Sequence, residues 1–297
     1  MPSEQLAPLV AALREHPLIH QIRTKPIPIE DARKNFDDFD QMYPLAEDVV
    51  VEAVSANGVT AEWVTAPGAS AERAVLFFHG GGFVIGSHKS HRELCGRISR
   101  ASGARVLVLH YRRAPEHPYP AALDDSITAY RWLLDQGIAA RHLVLAGDSA
   151  GGGLTISTLV SLRDQGVALP AAGIGLSAWV DLECSGMEPE REDPLITRHG
   201  LREMGRNYLG DTDPRTPMAS PLYADLHGLP PLYLQVGSAE VLLDDSRRLA
   251  ERAKEAGVDV TVDVWDELFH VFQLYPVLPE TDEAVDKIGA FVRAHMS

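Results

Sequence analysis

His142-Leu143-Val144-Leu145-Ala146-Gly147-Asp148-Ser149-Ala150-Gly151-Gly152 is the stretch on which the architecture turns. Up to Ala146 the run is short and apolar and reads as a buried strand. Beyond Gly152, Leu154, Ile156, Leu159, Val160 and Leu162 recur as in a helix running to Arg163. Between the two stands the pattern G-x-S-x-G. A serine at such a strand-to-helix turn sits in strained backbone, so its neighbours must be small. Gly147, Ala150 and Gly151 meet that need. An isolated match to this pattern is as easily a plain glycine-rich turn. The strand before it and the helix after it set this one apart.

A second glycine motif, His79-Gly80-Gly81-Gly82, follows another apolar run, Ala74 to Phe78. Glycines let the main chain approach a substrate closely and aim N–H groups at it. The expected oxyanion donors are the amides of Gly80 and Gly81, with that of Ala150. One such donor is worth about 3 kcal/mol of transition-state stabilisation. A serine nucleophile on this turn also needs an acid and then a histidine, in that chain order. Of the twelve histidines, His199, His227, His270 and His295 lie after the serine. His270 fits best, in a loop past the strand pattern Val258 to Trp265. The strand Leu232–Val236 leads directly to Glu240, where a carboxylate partner belongs. Asp244 and Asp245 read as the first turn of the next helix, where negative charge suits the macrodipole. Asp244 ranks behind Glu240, and Asp266 behind both.

These motifs, with Tyr111-Arg112-Arg113-Ala114-Pro115-Glu116-His117-Pro118, Trp179-Val180-Asp181-Leu182, Ala219-Ser220-Pro221-Leu222 and Phe269-His270-Val271-Phe272, make a joint pattern. It resembles the hormone-sensitive-lipase-like (bacterial family IV) esterases of the α/β-hydrolase superfamily over nearly the whole chain. The resemblance implies a serine carboxylesterase on short- to medium-chain esters. Ser149 would be nucleophile, His270 base and Glu240 acid, with no metal and no cofactor. Some relatives open lactones, so a lactone hydrolase on the same site is the alternative. A binding protein that lost catalysis, as in the plant gibberellin receptors, is remote because all three residues are retained. Three positions depart from the family: Glu240 replaces the more common Asp, Arg113 a usual leucine, and His110 a small or acidic residue.

Composition bounds the rest. The chain has 297 residues, 45% of them apolar, which suits one catalytic domain with an added cap. A net charge of −15 argues against nucleic acid and against anionic membranes. The two cysteines, Cys95 and Cys184, make no disulfide framework. Neither a signal peptide nor a span of ~20 apolar residues is legible, so a cytoplasmic location is expected. His88 and His91 have metal-pair spacing, but the serine mechanism needs no metal, and metal is not expected. A homodimer is a family-level expectation.

Strands Val49–Val54 and Thr60–Thr65 come first, without an intervening helix, and should pair antiparallel at one edge. Strand and helix then alternate, which predicts a mostly parallel sheet flanked by helices. Two segments break the alternation: residues 1–45, and residues 184–213 with a helix over Ile196–Leu209. Both are read as a helical cap over Ser149. The hydrolase core then comprises residues 46–183 and 214–297. Phe83 and Trp179 are candidates for the pocket wall.

Overall fold

The computed structural model describes residues 2–16, 19, 28–187 and 193–296. Its strands are β1 (Val50–Ala56), β2 (Val59–Thr65), β3 (Ser70–Phe78), β4 (Ala104–Leu109), β5 (Leu143–Asp148), β6 (Ala172–Leu176), β7 (Leu232–Gly237) and β8 (Val260–Trp265). They form one sheet in the order β1-β2-β4-β3-β5-β6-β7-β8. β1 and β2 make the expected antiparallel edge pair. Asn57 and Gly58, at φ 50° and 94°, supply the left-handed pair that a tight hairpin turn requires. β2 is also antiparallel to β4, and every later pairing is parallel. β3 begins at Ser70, four residues before the apolar run of the sequence reading, because an irregularity between Ser70 and Ala74 interrupts its register with β4.

The helices are α1 (Leu6–Glu15), α2 (Ile29–Asp37), α3 (Phe39–Met42), α4 (Arg92–Ser102), α5 (Ala121–Asp135), α6 (Ala150–Asp164), α7 (Arg198–Leu209), α8 (Leu243–Glu255) and α9 (Pro279–His295). Alternate sheet residues face opposite layers, as the two-residue strand period demands. Leu76, Phe78, Leu143 and Leu145 pack with residues of α5, α6 and α8. Val75, Phe77, Val144 and Ala146 pack with residues of α4 and α9. The resulting α/β/α sandwich explains why β5 reads as an unbroken apolar run: both faces are covered.

β3 pairs with β4 on one side and β5 on the other. The chain therefore reverses its direction of sheet growth between β3 and β5, and loops leaving their carboxyl ends flank a crevice. The His79–Gly82 loop leaves one strand and Ser149 the other.

The two segments read as a cap hold α1 to α3 and α7. Residues 1, 17–18, 20–27 and 188–192 of those segments lie outside the described residues. The helix expected from Ile196 starts at Arg198, because Thr197 is its N-cap and accepts the Gly200 N–H at 3.0 Å. In the first of these segments α2 and α3 are separate helices, with Asp38 as the C-cap of α2. Among the described residues, no helix is long and apolar enough to cross a membrane.

Candidate active site

Ser149 occupies the turn between β5 and α6 at φ 52°, ψ −118°, a conformation L-residues rarely adopt. Neighbouring strands hold it there. Its N–H donates to the Leu176 carbonyl at 2.8 Å, and its own carbonyl accepts the Trp179 N–H at 2.9 Å. A side chain at Gly151 would strike the Phe78 carbonyl, which is why that position of the motif must be glycine.

Two hydrogen bonds run on from the serine. Ser149 Oγ lies 2.9 Å from His270 Nε2, and His270 Nδ1 lies 2.9 Å from Glu240 Oε2. With Glu240 ionised, the pattern assigns the ring proton to Nδ1 and leaves Nε2 to accept from the serine. Glu240 is fully buried. Its second oxygen, Oε1, accepts the Ser177 hydroxyl at 2.9 Å and the Gly237 N–H at 2.5 Å. The longer stem of glutamate thus spans from the end of β7 to the histidine with both oxygens satisfied. Burial alone would lower the His270 pKa. The hydrogen bond and charge of Glu240, aided by Asp193 and Asp148, outweigh burial and raise it above the ordinary value.

The other acids go elsewhere. Asp244 pairs with Arg247 at 3.8 Å within the first turn of α8. Asp245, read from sequence as a helix-dipole residue, is fully buried and accepts the N–H groups of Val180 and Asp181, each at 3.0 Å. Burial, then the nearby Asp181 charge, pushes its carboxyl up to about 8. Asp266 meets the Ser238 hydroxyl at 3.4 Å.

One expected oxyanion donor is already engaged. The Gly80 N–H donates to Asp148 Oδ1 at 2.9 Å, and His91 Nε2 lies 3.1 Å from the same oxygen. Asp148 therefore ties the glycine loop to the serine turn, and it consumes the Gly80 amide. The Gly81 and Ala150 N–H groups have no acceptor among the described residues, and neither has that of Gly82, a donor the sequence reading did not name. Gly81 and Gly82 lie at φ 110° and 60°, backbone that glycine adopts without steric cost. Ala150 opens α6, so its N–H also carries the positive end of the helix dipole.

Phe83 and Trp179 are both buried and back the site instead of facing open space. Phe83 stacks on Tyr208 of α7 with centroids 3.8 Å apart, and its ring centre is 6.4 Å from that of Trp179. The α7 side chain that reaches the glycine loop is Met204, which lies against Gly82.

Sequence reasoning missed two residues. Asp193 accepts the His270 N–H on Oδ2 at 2.9 Å, and the Leu195 and Ile196 N–H groups on Oδ1 at 2.8 and 3.2 Å. Ser177 accepts the next amide, that of Val271, at 3.0 Å. Val271 has φ 47°, costly for a β-branched residue, so these consecutive bonds hold a strained loop in place. No motif marks Asp193; its partner is distant in sequence. His88 and His91 turn to different acids, Glu62 at 3.2 Å and Asp148. No described group of side chains could hold a metal ion.

A family model described as alpha/beta hydrolase fold matches residues 75–274. The structure of an esterase from the bacterial hormone-sensitive lipase family superimposes with a TM-score of 0.94, at 44% identity over 100% of both chains. The chain belongs to the hormone-sensitive-lipase-like esterases of the α/β-hydrolase fold. This family member is a carboxylic ester hydrolase. It is 48% identical to the acetyl-hydrolase of Streptomyces hygroscopicus over 246 residues, 82% of each chain. A structure of EstE5 soaked with p-nitrophenyl butyrate matches at 43% identity and a TM-score of 0.92, covering 99% of both chains.

Proposed function

We propose that the chain is a serine carboxylesterase for short-chain acyl esters, acting through an acyl-serine intermediate. The observation that carries this reading is the unbroken Ser149–His270–Glu240 chain, with both bonds at 2.9 Å. His270 Nε2 takes the hydroxyl proton as Ser149 Oγ attacks the ester carbonyl. The developing imidazolium is held by Glu240, whose role is orientation and charge, not proton acceptance. The tetrahedral oxyanion is received by the amides of Gly81, Gly82 and Ala150. These need no reorganisation, because Asp148, through Gly80, fixes their loop. His270 then protonates the departing alcohol, and the same imidazole activates water to release the acid.

The described parts of residues 1–45 and 184–213 form the cap in this reading. Arg33 supports that role by donating to the Val84 carbonyl at 2.9 Å, and Tyr208 by stacking on Phe83. Met204, set against Gly82, bounds the acyl side of the oxyanion loop and favours small acyl groups.

The test is hydrolysis of p-nitrophenyl acetate, butyrate, octanoate and laurate by wild type and Ser149→Ala. Turnover that falls along the series and vanishes in the variant supports the reading. Turnover retained by Ser149→Ala would remove it.

A further inference from the structure

His110 and Arg113 meet in one place. Past the carboxyl end of β4 lies a cleft of ≈ 360 Å³, lined by Thr60, His110, Arg112 and Arg113, with Arg33 of α2 at its rim. None of Ser149, Glu240 and His270 lines it, and two of its arginines reach the loop that follows β3. Arg113 Nη1 donates to the Gly86 carbonyl at 2.6 Å, and Arg33 grips Val84 of the same loop.

Charge in this cleft is unevenly matched. Arg33 is paired with Glu116, through bonds at 2.8 and 2.7 Å. Arg112 is paired with Asp125, Nε to Oδ1 at 2.9 Å. Arg113 has no carboxylate within ion-pair distance among the described residues, and its remaining N–H groups have no acceptor there. His110 Nδ1 is buried and also lacks a partner. The electrostatics agree. Burial, then the like charge of Arg33, lowers the Arg113 pKa, with Asp37 and Glu116 offsetting only in part. Burial, then Arg113 and His88, lowers that of His110 to about 4. Crowded positive groups around a cavity are stabilised by an anion placed among them. That such a cluster persists in a chain of net charge −15 makes it a local feature, not a reflection of composition.

We propose that this cleft binds a small oxyanion, with the Arg113 guanidinium as the main donor, Arg112 alongside and the His110 ring in the wall. A planar guanidinium presents paired N–H donors that match phosphate or carboxylate oxygens two at a time, and Arg113 spends only Nη1 on Gly86. This site is independent of the ester-hydrolase reading and needs no turnover to be tested.

The experiment is isothermal titration calorimetry with inorganic phosphate and, separately, with acetate, at ionic strength held constant by NaCl. Wild type, Arg113→Leu, Arg113→Lys and His110→Ala are compared, each first checked for a cooperative thermal unfolding transition. Wild type should give saturable one-to-one binding. Arg113→Leu should weaken it at least tenfold, and Arg113→Lys, which keeps charge but loses the fork, by less. Binding of phosphate alone would assign the site to phosphates; binding of acetate as well would extend it to the short carboxylates that ester hydrolysis releases. No saturable heat with either ion, or an affinity unchanged in both Arg113→Leu and His110→Ala, would overturn the proposal.

Discussion

Asp193 Oδ2 accepts the backbone N–H of His270 at 2.9 Å, joining a residue from the segment between β6 and β7 to the imidazole that meets Ser149. Its carboxyl is almost wholly buried, and burial pushes its pKa up to about 6. One carboxylate thus fixes the histidine backbone and contributes to the field that charges the ring. Asp193→Asn retains an acceptor for the amide but removes the charge. The acid limb of the kcat/KM pH profile should then move to lower pH, while Asp193→Ala should also lower kcat several-fold. An Asn variant with an unshifted limb would reduce Asp193 to a structural role.

The wild-type profile has a definite sign. The base form of His270 is neutral, and its pKa lies above the ordinary histidine value. Activity should therefore fall as pH drops through a midpoint above ~6.5. Glu240, Asp193 and Asp148 all act to raise that midpoint. Steady-state rates between pH 5 and 9 measure it; a limb near pH 5 would contradict this account.

Glu240 and the Asp244–Asp245 pair can be told apart by rate. Glu240→Gln leaves the wrong hydrogen-bond pattern opposite His270 Nδ1 and should cost ~10³-fold or more in kcat. Asp244→Asn should cost little. Glu240→Asp is also informative, because a shorter stem cannot reach His270 while keeping both Ser177 and Gly237. It should reduce kcat more than it changes KM.

Asp245 predicts a stability effect distinct from activity. Its folded pKa is raised to about 8, above the unfolded value, so the folded state binds the extra proton. Its stabilising contribution is present at low pH and is lost as pH rises from ~4 through 8. Asp181 faces it as a buried anion held by Arg248 at 2.9 Å, which sustains the shift. Asp245→Asn should flatten the fall in unfolding free energy across that window, measured by urea denaturation at pH 5, 6.5 and 8. A slope equal to wild type would show that Asp245 titrates normally.

Met204 is half-buried and lies against Gly82. Met204→Ala should cost only about 1 kcal/mol of stability. It should raise relative turnover of octanoate over acetate p-nitrophenyl esters. An unchanged chain-length profile would move the acyl boundary to another residue.

Most of the sheet and the core of the site were legible because their signals are local. The apolar run before Gly147 and the helical period after Gly152 locate β5 and α6 within two residues. The antiparallel edge pair follows from two strand patterns with no helix between them. Glu240 and His270 could be picked out because each follows a strand end at which a loop must begin.

What remained hidden depends on contacts across long stretches of chain. Nothing in a one-dimensional reading says that Asp148 consumes the Gly80 amide, 68 residues away. Asp245 looks like a helix-dipole residue until α8 is packed against the loop after β6. Asp193 reaches His270 across 77 residues, and Arg113 finds Gly86 but no carboxylate among the described residues. Sequence by itself determined which segments form strands, helices and sharp turns, since period and backbone strain act over a few residues. Tertiary packing decided which polar groups are satisfied and which are left free to act, because burial and hydrogen-bond pairing exist only once distant segments meet.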